Sequence, residues 1–296
     1  MYQEAVNELL DFMRTSGKSQ QQIAKEMALS PSVISQFLKQ SYKGNNEDVA
    51  KTVLKYLEMA RLRMAGTGHV HFYEDMHNTK LVIFSCFHAH RHGCIALVCG
   101  DAGAGKTTAL KHYAGEHPGV IMVTANACTS SAASILQMVG RKAGRMLAGK
   151  KEAMMASLVE YFRNTGRLLI IDEADHLTLA ALQAVRNLND EAGIGIVFSG
   201  NTKIYTQMMQ GSKCSELEQL RTRTPVCNMV KNEYSLKEFR EIFPDIPEEC
   251  IPWLMELATD KSLRTAIKML EFAYDYTDKM SVKTLQMVRQ QLTGGL

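Results

Sequence analysis

The stretch Cys94-Ile95-Ala96-Leu97-Val98-Cys99-Gly100-Asp101-Ala102-Gly103-Ala104-Gly105-Lys106-Thr107-Thr108 constrains the fold more than any other part of the chain. Its short apolar run, rich in β-formers, predicts a buried strand, and Thr108-Ala109-Leu110-Lys111 opens a helical pattern. Gly100 and Gly105-Lys106-Thr107 satisfy G-x-x-x-x-G-K-[ST] in the strand-to-helix setting that a phosphate-cradling loop needs. Glycines let successive N–H groups converge on phosphate oxygens, and the helix start adds the positive end of its dipole. Backbone groups from Gly100 to Thr108, including Asp101, Ala102, Gly103 and Ala104, would line the cradle. Lys106 would reach the β- and γ-phosphates, and the Thr107 hydroxyl would meet Mg2+.

A second element supports the first. Leu168-Leu169-Ile170-Ile171-Asp172-Glu173-Ala174-Asp175 is an apolar strand that ends abruptly in acid. A carboxylate at the end of a core strand suits a nucleotide-bound Mg2+, which assigns Asp172 to the metal. Glu173 would orient or deprotonate the attacking water. The pair of elements predicts ATP binding and hydrolysis.

The order of the remaining signals gives the fold class. Val120-Ile121-Met122-Val123-Thr124, Ile194 to Ser199 with a polar Asn201 beyond it, and the weaker Val226-Cys227-Asn228-Met229-Val230 are further strands. Helical patterns separate them, which predicts an α/β fold with a parallel sheet flanked by helices. Residues 235–292 carry only helical signals, broken at Pro244, Pro247 and Pro252, and read as a small bundle.

Ahead of this core, residues 3–15 show helical periodicity that stops at Gly17. Ser19–Met27 and Pro31–Leu38 then form two short helical patterns around Ala28-Leu29-Ser30, with Ser30 as N-cap and Pro31 in the first turn. The spacing is that of a helix-turn-helix, although Ala28 stands where the turn usually has glycine. Ser32, Ser35, Gln36 and Lys39 would face a DNA groove; a three-helix packing module without DNA contact is the alternative. An amphipathic helix follows over 47–64, and Ala65-Gly66-Thr67-Gly68-His69 reads as a linker. The expected domains are therefore 1–65, 66–230 and 231–296.

Charge matters here through its distribution. The net charge is only +3, yet Arg141, Lys142, Arg145, Lys150 and Lys151 fall within eleven residues that contain no acid. Such a cluster either neutralises phosphates or is a solvated face. Residues 74–91 look helical and lead into His88, His90, His92 and Cys94, but histidines at i, i+2 and i+4 cannot share one helix face, so surface imidazoles are expected rather than a metal site. The seven cysteines form no C-x-x-C pair, and Met1-Tyr2-Gln3-Glu4 resembles no secretory leader. No apolar run approaches a membrane span, so reduced thiols in a cytoplasm, and no membrane partner, are the expectation.

With the phosphate loop, acidic strand, Asn-ended strand and trailing helices in this order, the chain resembles the AAA+ ATPases. With the helix-turn-helix in front, it is similar to the phage Mu B-like family of target-selection ATPases in DNA transposition. Gln22-Ile23-Ala24, Tyr42-Lys43-Gly44-Asn45, Val98-Cys99-Gly100, Ile170 to His176 and Gly200-Asn201 carry the likeness. The resemblance implies that Asn201 senses the γ-phosphate and that Arg221 or Arg223 completes a neighbouring subunit's site. It also implies that Arg264 is the arginine of a helical lid, although Lys261 stands where the family has glycine. It places Lys150 and Lys151 on DNA. Its further implications are ATP-loaded helical filaments on double-stranded DNA, recruitment of a transposase, and residence in a host cell's cytoplasm. An ATP-switched transcription regulator and a helicase loader are the competing functions.

Overall fold

A computed structural model describes residues 2–67, 70–210, 218–277 and 279–293. The chain divides into two compact units, residues 1–70 with 270–280 and residues 71–269 with 281–296.

The smaller unit holds α1 (Tyr2–Ser16), α2 (Gln20–Glu26), α3 (Pro31–Leu38) and α4 (Asn46–Thr67). Ser19 caps α2 in a capping box, and Ser30 caps α3 with Pro31 in its first turn, as the sequence anticipates. Ile23, Ala24, Ile34 and Phe37 are fully buried against Leu9, Val53 and Leu57, so the α2–α3 pair is packed from the α1 and α4 side. Ala28 takes φ +55, the left-handed turn position for which glycine is the usual choice. One expectation fails: α4 continues through Gly66 to Thr67, three residues beyond the anticipated end. A glycine inside an established helix costs only about 1 kcal/mol, too little to stop propagation. Gly68 and His69, the rest of the expected linker, lie outside the described residues.

The larger unit begins with α5 (His77–His92), followed by β1 (Ile95–Gly100), α6 (Lys106–Glu116), β2 (Ile121–Thr124), α7 (Ala132–Lys142) and α8 (Lys151–Phe162). Then come β3 (Leu168–Asp172), α9 (Leu179–Ala192), β4 (Gly195–Gly200), α10 (Thr202–Tyr205), α11 (Glu218–Thr222) and β5 (Val226–Val230). Four helices close the chain: α12 (Leu236–Ile242), α13 (Ile251–Asp260), α14 (Leu263–Tyr274) and α15 (Val282–Thr293).

The five strands form one parallel sheet in the order β2-β3-β4-β1-β5. Alternation along each strand sorts its two faces. Ile95, Leu97, Leu169, Ile171, Ile196 and Phe198 meet α7, α8 and α9, while Ala96, Val98, Ile170 and Val197 meet α5 and α6. Both faces are covered, which explains why β1, β3 and β4 are buried at every position. Because all five strands run the same way, the segments after β1, β3 and β4 gather at one edge of the sheet. That carboxyl edge is where ligands bind in open α/β sheets. No helix among the described residues is long and apolar enough to cross a membrane.

A candidate nucleotide pocket at the carboxyl edge of the sheet

The loop after β1 is shaped by its glycines. Gly100 has φ +139, and a Cβ there would lie 1.8 Å from the carbonyl oxygen of Val230 on β5. Gly103, at φ +74, faces Ser262 and Arg264, whose Cβ atoms would be 2.7 and 3.1 Å from an added methyl. Gly105 is the left-handed N-cap of α6 and supplies no side-chain acceptor to its first turn. The N–H groups of that turn are thus left for an anion.

Lys106 folds back over this loop, donating from Nζ to the carbonyls of Gly100 (3.0 Å) and Asp101 (2.6 Å). Burial pushes its pKa below the usual lysine value, while the charges of Asp172, Glu173 and Asp101 pull it up. Thr107 donates its hydroxyl to Asp172 Oδ2 at 2.7 Å, and Ser199 on β4 donates to Asp172 Oδ1 at 3.0 Å. A hydroxyl and a buried carboxylate from two different strand ends therefore meet at the loop. This all-oxygen donor pair suits Mg2+, which binds through one or two protein oxygens plus substrate phosphates.

Glu173 follows Asp172 in a left-handed conformation (φ 55, ψ 35) and is exposed. A non-glycine residue there costs about 1–2 kcal/mol, a strain that clusters at functional sites. Donor atoms of Glu173, Asp175 and His176 lie within 4.8 Å of one another. Sequence reading assigns no part to Asp175 or His176. Buried, Asp175 accepts from the Asn201 backbone N–H (3.1 Å) and from Asn201 Nδ2 (2.8 Å). Gly200 makes the approach feasible, since a Cβ there would come 2.4 Å from Asp175 Oδ1. The Asn201 side-chain oxygen meanwhile accepts from Lys203 N–H at 2.8 Å, which leaves one amide hydrogen of Nδ2 for a ligand.

The trailing helices reach the same loop. The Arg264 N–H donates to the Gly103 carbonyl at 3.3 Å, and the Arg264 side chain is exposed. Lys261, the substitution for the family's glycine, sits at φ −117, so no glycine is needed there. Asn232, also missed from sequence, ties the two parts together. It donates from its backbone to Asp101 Oδ2 (2.9 Å) and from Nδ2 to the Lys261 carbonyl (3.2 Å), and Tyr234 donates to its Oδ1 (2.9 Å). Lys106, Thr107, Asp172, Glu173, Asn201 and Arg264 are thus brought to one place.

Arg221 and Arg223 are not. The Arg223 carbonyl accepts from Ile95 N–H at 3.1 Å, at the start of β1, while the phosphate loop leaves its far end. Five residues of strand separate the two positions by roughly 16 Å. Arg223 is paired with Asp190, which also meets Arg186. Arg221 is exposed and pairs with no carboxylate among the described residues.

Residues 89–208 match the AAA domain family. The Mu-like prophage FluMu DNA transposition protein B of Haemophilus influenzae is 32% identical over 207 residues, which cover 70% of this chain and 72% of that protein. This chain belongs to the Mu-type DNA transposition protein B family. The ATP-dependent target DNA activator B of Escherichia phage Mu is 32% identical over 206 residues, 68% of this chain and 65% of that protein. Among solved structures, the Cdc6p of Pyrobaculum aerophilum shares the fold with a TM-score of 0.51 and 14% identity, over 73% of this chain and 62% of that one. An AAA+ core with helical regions on either side is the architecture of this protein B family member.

The other anticipated residues belong to other elements. Arg141 and Lys142 end α7, Lys150 caps α8 and Lys151 begins it; all four, with Arg145, are exposed. Ser32, Gln36 and Lys39 are exposed on or just after α3, and Ser35 is half-buried there. His88 and His92 stack at 5.6 Å, while His90 Nδ1 pairs with the Tyr113 hydroxyl at 3.1 Å.

Proposed function

We propose that this chain is an ATPase that assembles on double-stranded DNA when loaded with ATP, selects that DNA as a transposition target and activates a partner transposase. The observation that carries the reading is the position of Arg221. It is an exposed cation with no carboxylate partner among the described residues, and its segment joins the start of β1 through Arg223 rather than the phosphate loop, which supports a role at another copy's nucleotide. The printed names of the relatives, a transposition protein and target DNA activators, support the DNA and transposase parts.

Within the pocket the roles follow from position. Backbone N–H groups of Gly103 to Thr108 bind the phosphates, and Lys106 exchanges its two carbonyl partners for β- and γ-phosphate oxygens. Thr107 and Asp172 hold Mg2+, which when bound offsets charge on the phosphates. Glu173 accepts a proton from the attacking water, and Asn201 orients that water or the γ-phosphate with its remaining amide hydrogen. Arg221 of the next copy stabilises the charge that builds on transfer, and Arg264 signals phosphate occupancy to the helices that follow. Residues 231–296 then act as a lid, 66–230 as the core and 1–65 as a helix-turn-helix domain, with Ser32, Ser35, Gln36 and Lys39 toward DNA. Lys150, Lys151, Arg141, Lys142 and Arg145 neutralise DNA phosphates without reading sequence. The protein works in the cytoplasm, where DNA and transposase are found together.

The test is a pair of variants on random-sequence duplex. Lys106→Ala is expected to abolish ATP-dependent DNA binding, and Glu173→Gln to keep ATP and DNA bound while turnover falls by about 10²-fold or more. ATP-stimulated binding by Lys106→Ala, or unchanged turnover in Glu173→Gln, would remove the reading.

A further inference from the structure

The basic segment between α7 and α8 carries one side chain that phosphate neutralisation does not use. Met146 is 94% exposed, whereas no other large hydrophobic side chain among the described residues exceeds 59%. It is not exposed for want of structure around it. Left-handed Gly144 and Gly149 bracket the loop, and Gly144 and Arg145 donate their N–H groups to the carbonyls of Arg141 (3.1 Å) and Gly140 (2.8 Å). Leu147 turns inward and packs so closely on α7 that a Cβ on Gly140 would stand 2.5 Å from its Cγ. The Arg145 guanidinium lies 5.0 Å from the centre of the Tyr161 ring on α8. Both neighbours of Met146 are therefore anchored, and the thioether alone is held out into water.

The surroundings say what it is held out toward. Arg141, Lys142, Lys150 and Lys151 flank the loop, and residues 141–151 contain no acid. They also contain no Asn, Gln, Ser or Thr, so Arg and Lys are the hydrogen-bonding side chains of the segment. An apolar tip among cations matches the devices that enter the minor groove and press a Met, Leu or Phe between base steps.

We propose that the 144–149 loop enters the minor groove of duplex DNA and that Met146 partly unstacks a base step there. This rests on the reading that the basic segment binds DNA. The cations supply the sequence-independent attraction, and the methionine converts it into a local deformation that each protomer of an assembly would repeat along the duplex. Because Met146 packs on nothing, changing it leaves the fold intact.

The experiment uses the full chain, a non-hydrolysable ATP analogue and random duplex with scattered adenines replaced by 2-aminopurine, whose fluorescence rises on unstacking. Met146→Ala is expected to lose most of that rise at saturating protein and to weaken binding roughly tenfold, with the salt dependence kept. Met146→Leu should retain both. Lys150→Ala with Lys151→Ala should do the reverse, lowering the salt slope while the fluorescence rise survives at saturation. If Met146→Ala matches the unaltered chain while the lysine variant loses salt slope, the segment binds DNA and the wedge is wrong. An unchanged salt slope in the lysine variant would remove the segment from DNA altogether, and the wedge with it. Loss of transposase activation by Met146→Ala with both DNA readouts intact would assign the tip to a protein partner and equally overturn the proposal.

Discussion

Asp175 shows what a single buried carboxylate does for the pocket without touching a phosphate itself. Its two oxygens take the backbone and side-chain N–H groups of Asn201, so the asparagine presents its remaining hydrogen in one orientation. Asp175→Ala is expected to slow ATP turnover at least tenfold while nucleotide affinity changes little, because the lost interaction acts on the transition state rather than on binding. Equal loss of affinity and turnover would make Asp175 a fold residue only. The phosphate loop, Asp172 and Asn201 are legible in sequence because each sits at the end of its own apolar run, where local pattern suffices. The Asp175–Asn201 pair is not, since 26 residues separate its members and only the adjacency of β3 and β4 brings them together. Ala28 is equally visible as a departure from the expected turn glycine, and its φ of +55 places it in the left-handed region without one.

At the scale of elements, the strands and helices were readable from periodicity, but the joints between them were not. Asn232 spans 131 residues to Asp101, and the Arg223–Asp190 pair spans 33. No spacing rule reports such contacts. Glu238 is another joint. It accepts from His77 N–H at 2.6 Å, at the start of α5, and from the Ser235 N–H and hydroxyl at the start of α12. Burial pushes its pKa up, but these hydrogen bonds outweigh it and hold the carboxyl below the usual glutamate range. The folded-state value being the lower one, the joint's contribution is present above the unfolded pKa of about 4.3 and is lost as pH falls through the depressed value. Thermal melts at neutral pH should therefore find Glu238→Ala less stable by about 1 kcal/mol, the usual cost of a lost cap. The gap from the unaltered chain should close in acid below the glutamate range; a gap that stays constant with pH would show that the carboxylate charge plays no part.

For the whole molecule, the two sheet edges divide the chemistry. The phosphate loop, Asp172 and Asn201 collect at the carboxyl edge, while the Arg221 segment joins the start of β1; on the proposed reading, a single copy therefore holds two incomplete halves of a catalytic site. On that reading, closing a site would take the carboxyl edge of one copy and the Arg221 segment of the next, a head-to-tail contact that would extend into a ring or filament. Mixing two inactive variants tests this most directly. Arg221→Ala keeps an intact pocket, and Glu173→Gln keeps an intact arginine. Each alone should hydrolyse ATP slowly, and an equal mixture on duplex DNA should recover up to roughly a quarter of normal turnover, from the contacts that pair the intact halves. A mixture no faster than its two components, with both variants still binding nucleotide, would contradict a site shared between copies.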